Sequence, residues 1–265
     1  MNIQRYVRPD RIADAYDLIH KEKGVPIGGG AWTRMNRGGI DLAVDLSGLG
    51  LRYIRVKEKR AALGAMTRAR DVETSKELQG AFGSLFSDAA AHIVGVQLRN
   101  IVSVGGTVSG GYGFSDLNTA LLALEASVTF YREGQMPLED YLEKRPDGAR
   151  LIEEILIPMG TVKAAFQSVR KTRTDFAVLN AAVVRRPEGW RIAVGARPGA
   201  ARLSLQAARI LDEEGDGGPT AEAAKRAGEA AAEELSFGKD LRGSAEYRKE
   251  ISSVLVRRCV EETIK

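Results

Sequence analysis

Five of the nine residues from Gly105 to Gly113 are glycine, and a second cluster, Gly28-Gly29-Gly30, stands upstream. Glycine weakens helix and strand interiors alike, and it lets a backbone take positive φ or approach a ligand closely. Residues 105–113 are therefore predicted to form a long loop, and a long loop inside a compact chain generally carries function. Hydroxyls at Ser103, Thr107, Ser109 and Ser115 offer hydrogen bonds without charge, and Asp116 suits sugar hydroxyls. The upstream cluster follows Val25-Pro26-Ile27, a short apolar strand, so free amides beyond it can bind phosphate oxygens. Two such loops suit a ligand with a pyrophosphate and a polyol. Plain surface turns are the competing reading, and the residues alone leave both open. Gly28 and Gly30 fit the first two positions of a dinucleotide fingerprint, but the third falls on Thr33, and no Walker A sequence is present.

The periodicity places these clusters. Ile12, Ala15, Tyr16, Leu18 and Ile19 form a helical stripe closed by Gly24. Together with strands at 25–27 and 42–46 it predicts a small parallel βαβ unit. Residues 53–56 and 61–64 read as a hairpin across the charged turn 57–60, and 79–94 returns to helical spacing. Strands follow at 128–132 and 151–157. Three more, at 164–170, 177–185 and 191–194, are predicted as an antiparallel meander, with Pro187-Glu188-Gly189 as turn chemistry. Helices at 221–235 and 245–262 end the chain. His92 and Cys259, on apolar helical stretches, are expected to be structural.

With 265 residues, two histidines and one cysteine, the chain has few metal ligands, and His20, His92 and Cys259 are far apart. No metal site and no disulfide are expected, and any redox metal would sit on another chain. Residues 1–158 carry 20 basic and 20 acidic side chains, whereas 159–265 carry 19 and 15, so the net charge of +4 lies at the C-terminal end. The basic runs Arg170-Lys171-Thr172-Arg173 and Arg185-Arg186 lack interleaved aromatics, which favours a solvated or partner-facing surface over nucleic acid. No membrane span and no signal segment are read, and the expected location is cytoplasmic.

Taken in order, these residues resemble the FAD-binding medium subunits of the molybdenum hydroxylases, the xanthine dehydrogenase and carbon monoxide dehydrogenase type. Residues 27–35 resemble the first FAD loop of that family. Arg99-Asn100 through Gly105-Gly106 resembles its second, and Ser115-Asp116 with the apolar run 120–126 continues it. Residues 153–158, 170–182 with Asp175-Phe176-Ala177, and the late motif Asp240-Leu241-Arg242-Gly243-Ser244-Ala245-Glu246-Tyr247-Arg248 complete the likeness. The chain departs from the family pattern at Ala31-Trp32-Thr33, at Thr107 and at Gly113-Phe114.

The resemblance implies an α+β fold. It would comprise an FAD-binding domain at 1–158, with subdomains at about 1–50 and 51–158. A C-terminal domain of antiparallel strands backed by helices would follow at 163–265. It implies that FAD is held by Ile27, Gly28, Gly29, Gly30, Ala31, Trp32 and Thr33 on one side. Ser103, Gly105, Gly106, Thr107, Gly110, Ser115 and Asp116 would hold it on the other, with Asp116 near the ribityl or adenosine groups. Trp32 and Tyr112 border the loops, where packing is expected ahead of stacking on a flavin ring. No catalytic acid–base pair is found in this chain. The implied role is an electron-transfer subunit working with an iron–sulfur subunit and a molybdenum-cofactor subunit, and passing electrons to NAD or another acceptor. The alternatives are a stand-alone flavin oxidoreductase and a cofactor-free assembly subunit.

Overall fold

The computed structural model describes residues 2–35, 38–146, 148–215 and 218–264. Its N-terminal part is a three-stranded parallel sheet in the order β1-β3-β2, formed by β1 (Asn2–Val7), β2 (Val25–Ile27) and β3 (Gly39–Asp45). Parallel neighbours require a crossover, and α1 (Ile12–Lys21) supplies it, burying Ala15 and Ile19 with Leu42, Val44 and Leu46. The βαβ unit predicted from the sequence is present, but β1, not read as a strand, is its first member. β1 is an edge strand whose side chains are mostly exposed, so it lacks the apolar alternation that marks a strand.

The hairpin β4 (Ile54–Val56) and β5 (Arg60–Gly64) joins β6 (Ser127–Phe130), β7 (Gly134–Pro137) and β8 (Ile152–Pro158) in an antiparallel sheet ordered β4-β5-β8-β6-β7. Between β5 and β6 run α2 (Ala69–Thr74), α3 (Lys76–Phe82), α4 (Leu85–Ala91), α5 (Val96–Arg99), α6 (Val104–Gly110) and α7 (Asp116–Ala123), and α8 (Leu138–Lys144) follows β7. Helix α6 corrects the loop predicted at 105–113, since Val104-Gly105-Gly106-Thr107-Val108-Ser109-Gly110 is helical. Ser103 caps it by accepting from the Gly106 N–H at 3.2 Å, and Gly111, in left-handed conformation, ends it. Its glycines serve close packing, because a Cβ at Gly105 would press on Ala65, whose carbonyl accepts the Gly105 N–H at 2.8 Å.

The predicted meander is β9 (Lys163–Val169), β10 (Leu179–Arg186) and β11 (Gly189–Gly195), extended by β12 (Arg202–Leu203) in the order β12-β11-β10-β9. Successive side chains of a strand face opposite ways, and β10 is buried on both faces. Ala181 and Val183 pack with Ile192 and Val194 against α9 (Leu205–Asp212), α10 (Ala221–Glu234) and α11 (Ala245–Thr263). Ala182 and Val184 join the core built around α4 and α7. Every residue of α7 is buried, as befits a helix with protein on all sides.

Candidate functional site

Segment 101–105 is stitched to segment 65–69. Val104 donates to the Thr67 carbonyl at 2.8 Å, Ala69 donates to that of Val102 at 2.9 Å, and Arg68 bridges Ser103. The glycine loop after β2 lies on this seam. A Cβ at Gly29 would overlap the Ile101 carbonyl oxygen, and one at Gly28 would come within 2.7 Å of Ser103 Oγ. Glycine at both positions lets the two loops touch, and a cleft of about 210 Å³ opens between them. Gly28, Gly29, Gly30, Ala31, Trp32 and Thr33 line one wall, and Ser103, Gly105, Gly106, Thr107 and Gly110 line the other.

Gly30 has φ +68°, and the amides of Gly29, Gly30 and Ala31 donate to no acceptor among the described residues. Successive free N–H groups around a left-handed residue form an anion-binding concavity. Ser103 Oγ already accepts from Gly106, and Thr107 Oγ1 donates to the Ser103 carbonyl at 2.9 Å. The amide cradle therefore offers more unspent hydrogen bonds than the hydroxyls do.

Three residues expected at this site stand outside the cleft lining. Ile27 ends β2. Ser115 caps α7, its Oγ accepting from the Asn118 N–H at 3.2 Å. Asp116 is 4% exposed, with one carboxylate oxygen accepting from Arg170 Nη2 at 2.5 Å and the other from Asn180 Nδ2 at 2.8 Å. Burial pushes its carboxyl upward, opposed by Arg170 and Asn180. Asp116 thus joins α7 to β9 and β10, and it lines a small cavity beside the cleft. Conversely Ala65, Met66, Ile101 and Arg150 line the cleft unpredicted. Nothing in the local sequence around Arg150 marks it, because it arrives just ahead of β8 from another part of the chain.

Trp32 and Tyr112, whose ring centroids are 5.0 Å apart, begin an aromatic group at one end of the cleft. Phe114 stacks on Phe176 at 4.1 Å, and the Arg242 guanidinium lies 5.2 Å from the Phe176 ring. The packing expected of Trp32 and Tyr112 is seen, although both also face the cleft. A small cavity of about 40 Å³ separates this group from Asp116 and Arg170. His92 Nδ1 lies 2.6 Å from the Asp88 carbonyl, and Cys259 is buried with its Sγ 3.7 Å from the Ala181 carbonyl. Among the described residues no cluster of His, Cys, Asp and Glu is suited to a metal, and no helix is long and apolar enough to cross a membrane.

A narrow glycine-walled cleft, free amides and flanking aromatics fit a dinucleotide with a planar ring, and the comparisons agree. Residues 1–160 match the family described as the FAD binding domain in molybdopterin dehydrogenase, and residues 164–263 match the CO dehydrogenase flavoprotein C-terminal domain. The chain belongs to this family of FAD-binding medium subunits of the molybdenum hydroxylases, and it is an FAD-dependent oxidoreductase subunit. It is 26% identical to Escherichia coli K12 protein YgfM, over 96% of this chain and 94% of that one. It is 27% identical to the nicotine 6-hydroxylase medium subunit of Paenarthrobacter nicotinovorans, over 97% and 96% respectively. Its fold matches a carbon monoxide dehydrogenase chain of Hydrogenophaga pseudoflava with a TM-score of 0.88 at 23% identity, covering 98% of this chain and 96% of that one.

Proposed function

We propose that this chain holds FAD between its two glycine loops and relays electrons from iron–sulfur clusters on a partner subunit to NAD or another acceptor. A further subunit would carry the molybdenum cofactor and the substrate. Bound FAD supplies the chemistry, accepting electrons singly and releasing them in pairs, while the protein contributes binding and orientation. The free amides of Gly29, Gly30 and Ala31 would bind the pyrophosphate, and Gly28 and Gly105 let the walls behind it pack closely on Ser103 and Ala65. Ser103, Gly106, Thr107 and Gly110 would form the facing wall, and Trp32 and Tyr112 would flank the ring system. Asp116 would act at one remove, by fixing Arg170 beside the aromatic group.

The observation that carries this reading is the contact of the two loops at Gly29 and Ile101, which leaves three consecutive amides unspent in the cleft. The test is to purify the tagged chain from the cells that make it and to assay flavin, iron and molybdenum in what co-purifies. The expected result is FAD together with both metals, with flavin absorption bleached by anaerobic NADH if NAD is the acceptor. Flavin without iron or molybdenum would overturn the relay and favour a stand-alone flavoenzyme.

A further inference from the structure

Leu241 is 99% exposed, yet the turn that carries it is held from several sides. Arg248, wholly buried, donates to the carbonyls of Val178 at 2.9 Å, Gly238 at 2.8 Å and Gly243 at 2.6 Å, and to Asp240 Oδ1 at 2.5 Å. Asp240 donates to the Gly243 carbonyl at 3.2 Å, closing the turn, and Lys171 Nζ donates to the carbonyl of Leu241 itself at 3.0 Å. A lone exposed leucine is ordinary. One carried on a turn whose backbone is held by a buried guanidinium has less ordering left to lose on binding, which favours a binding anchor.

The surroundings say what kind of partner fits. The Lys171 bond brings the basic run 170–173 against the late motif 240–248, so exposed Lys171 meets Leu241, exposed Arg173 and Lys239 stand two residues along the chain from Lys171 and Leu241, and half-exposed Tyr247 follows in the same motif. Asp240 and Asp175 are turned to Arg248 and Arg242, and Glu246 is the acidic neighbour of Lys239. Next to Leu241, Arg242 lies over Phe176 and Phe114, the far side of the aromatic group that lines the glycine cleft. With the flavin ring flanked by this aromatic group, as proposed above, an electron donor docked on this side would stand close to it.

We propose that Leu241 is the anchor on which the iron–sulfur subunit docks, entering an apolar pocket with an acidic rim. The inference rests on the electron-relay reading above. The chain is co-expressed with its iron–sulfur and molybdenum subunits, captured by a tag, and assayed for iron and FAD. Leu241→Asp is compared with Leu205→Asp, a control at another exposed leucine. L241D is expected to lose about tenfold or more in co-purifying iron, as for a hot spot, with its FAD and its unfolding temperature unchanged. Lys171→Glu is expected to weaken capture and flatten its salt dependence. L205D behaves as wild type. Wild-type iron in L241D would overturn the docking surface and leave the relay reading intact. Loss of FAD in L241D would overturn it too, by giving the turn to the cofactor site. Absence of iron from the wild-type capture would overturn the relay reading itself.

Discussion

The carboxylate of Asp116, at the first residue of α7, meets the guanidinium of Arg170, just after β9, at 2.5 Å, with side chains 4% and 7% exposed. Asn180 satisfies the second carboxylate oxygen and takes a hydrogen bond from Thr119 at 2.9 Å. A polar network of this kind ties the cleft-bearing part of the chain to the β10 sheet. Arg170→Ala leaves a buried carboxylate without its cation and is expected to cost about 3–5 kcal/mol. Denaturant unfolding checks this, and the double variant with Asp116→Asn should recover part of the loss.

Two helical glycines should answer alanine in opposite ways. Gly80, on α3, has open space where a Cβ would go, so Gly80→Ala is expected to stabilise by about 0.4–1 kcal/mol. Gly228, on α10, faces the backbone of Ser253 on α11, and a Cβ there would overlap its carbonyl. Gly228→Ala is expected to destabilise by about 1–3 kcal/mol despite better helix propensity. Thermal melts of the two variants distinguish packing from propensity.

Asp71 accepts two hydrogen bonds from Arg52, both at 2.8 Å, and one from the Arg68 amide at 3.0 Å. The Arg52 guanidinium holds its carboxyl below the ordinary value of 3.8, against the upward push of burial. A depressed carboxyl contributes stability that is full above its unfolded pKa and fades as pH falls through the folded one. The stability gap between wild type and Asp71→Asn should therefore be constant near neutrality and close below pH 3.8. A gap that persists in acid would contradict this.

Cys259 is the chain's single cysteine, and burial pushes its thiol far up. Because the thiolate is the reactive form, a thiol reagent is expected to label none of the native protein. It should label one site per chain in denaturant, with native labelling limited by opening of α11 against β10.

How much of this was legible follows from where the information lies. Strands β9 to β11 were readable because a run such as Leu179-Asn180-Ala181-Ala182-Val183-Val184, ended by turn chemistry at Pro187, has few other solutions. The two glycine clusters were recognised as a pair, and the structure brings them to one cleft. Helix α6 was misread because helix propensity is a local quantity. Gly105 is set by contact with Ala65, forty residues away, which only the fold reveals. The partners of Asp116 are hidden for the same reason, since Arg170 and Asn180 lie more than fifty residues further on. β1 escaped because an edge strand need not bury its side chains.

The most direct measurement is the visible spectrum of the purified protein, with mass spectrometry of the released cofactor, for wild type beside Gly29→Ala. A Cβ at Gly29 would force the loop off Ile101 and break the cleft. Wild type is expected to release about one FAD per chain, and the variant to remain folded but lose most of it. A folded, colourless wild type that takes up no FAD, alone or with its partner subunits, would contradict the assignment of the cleft.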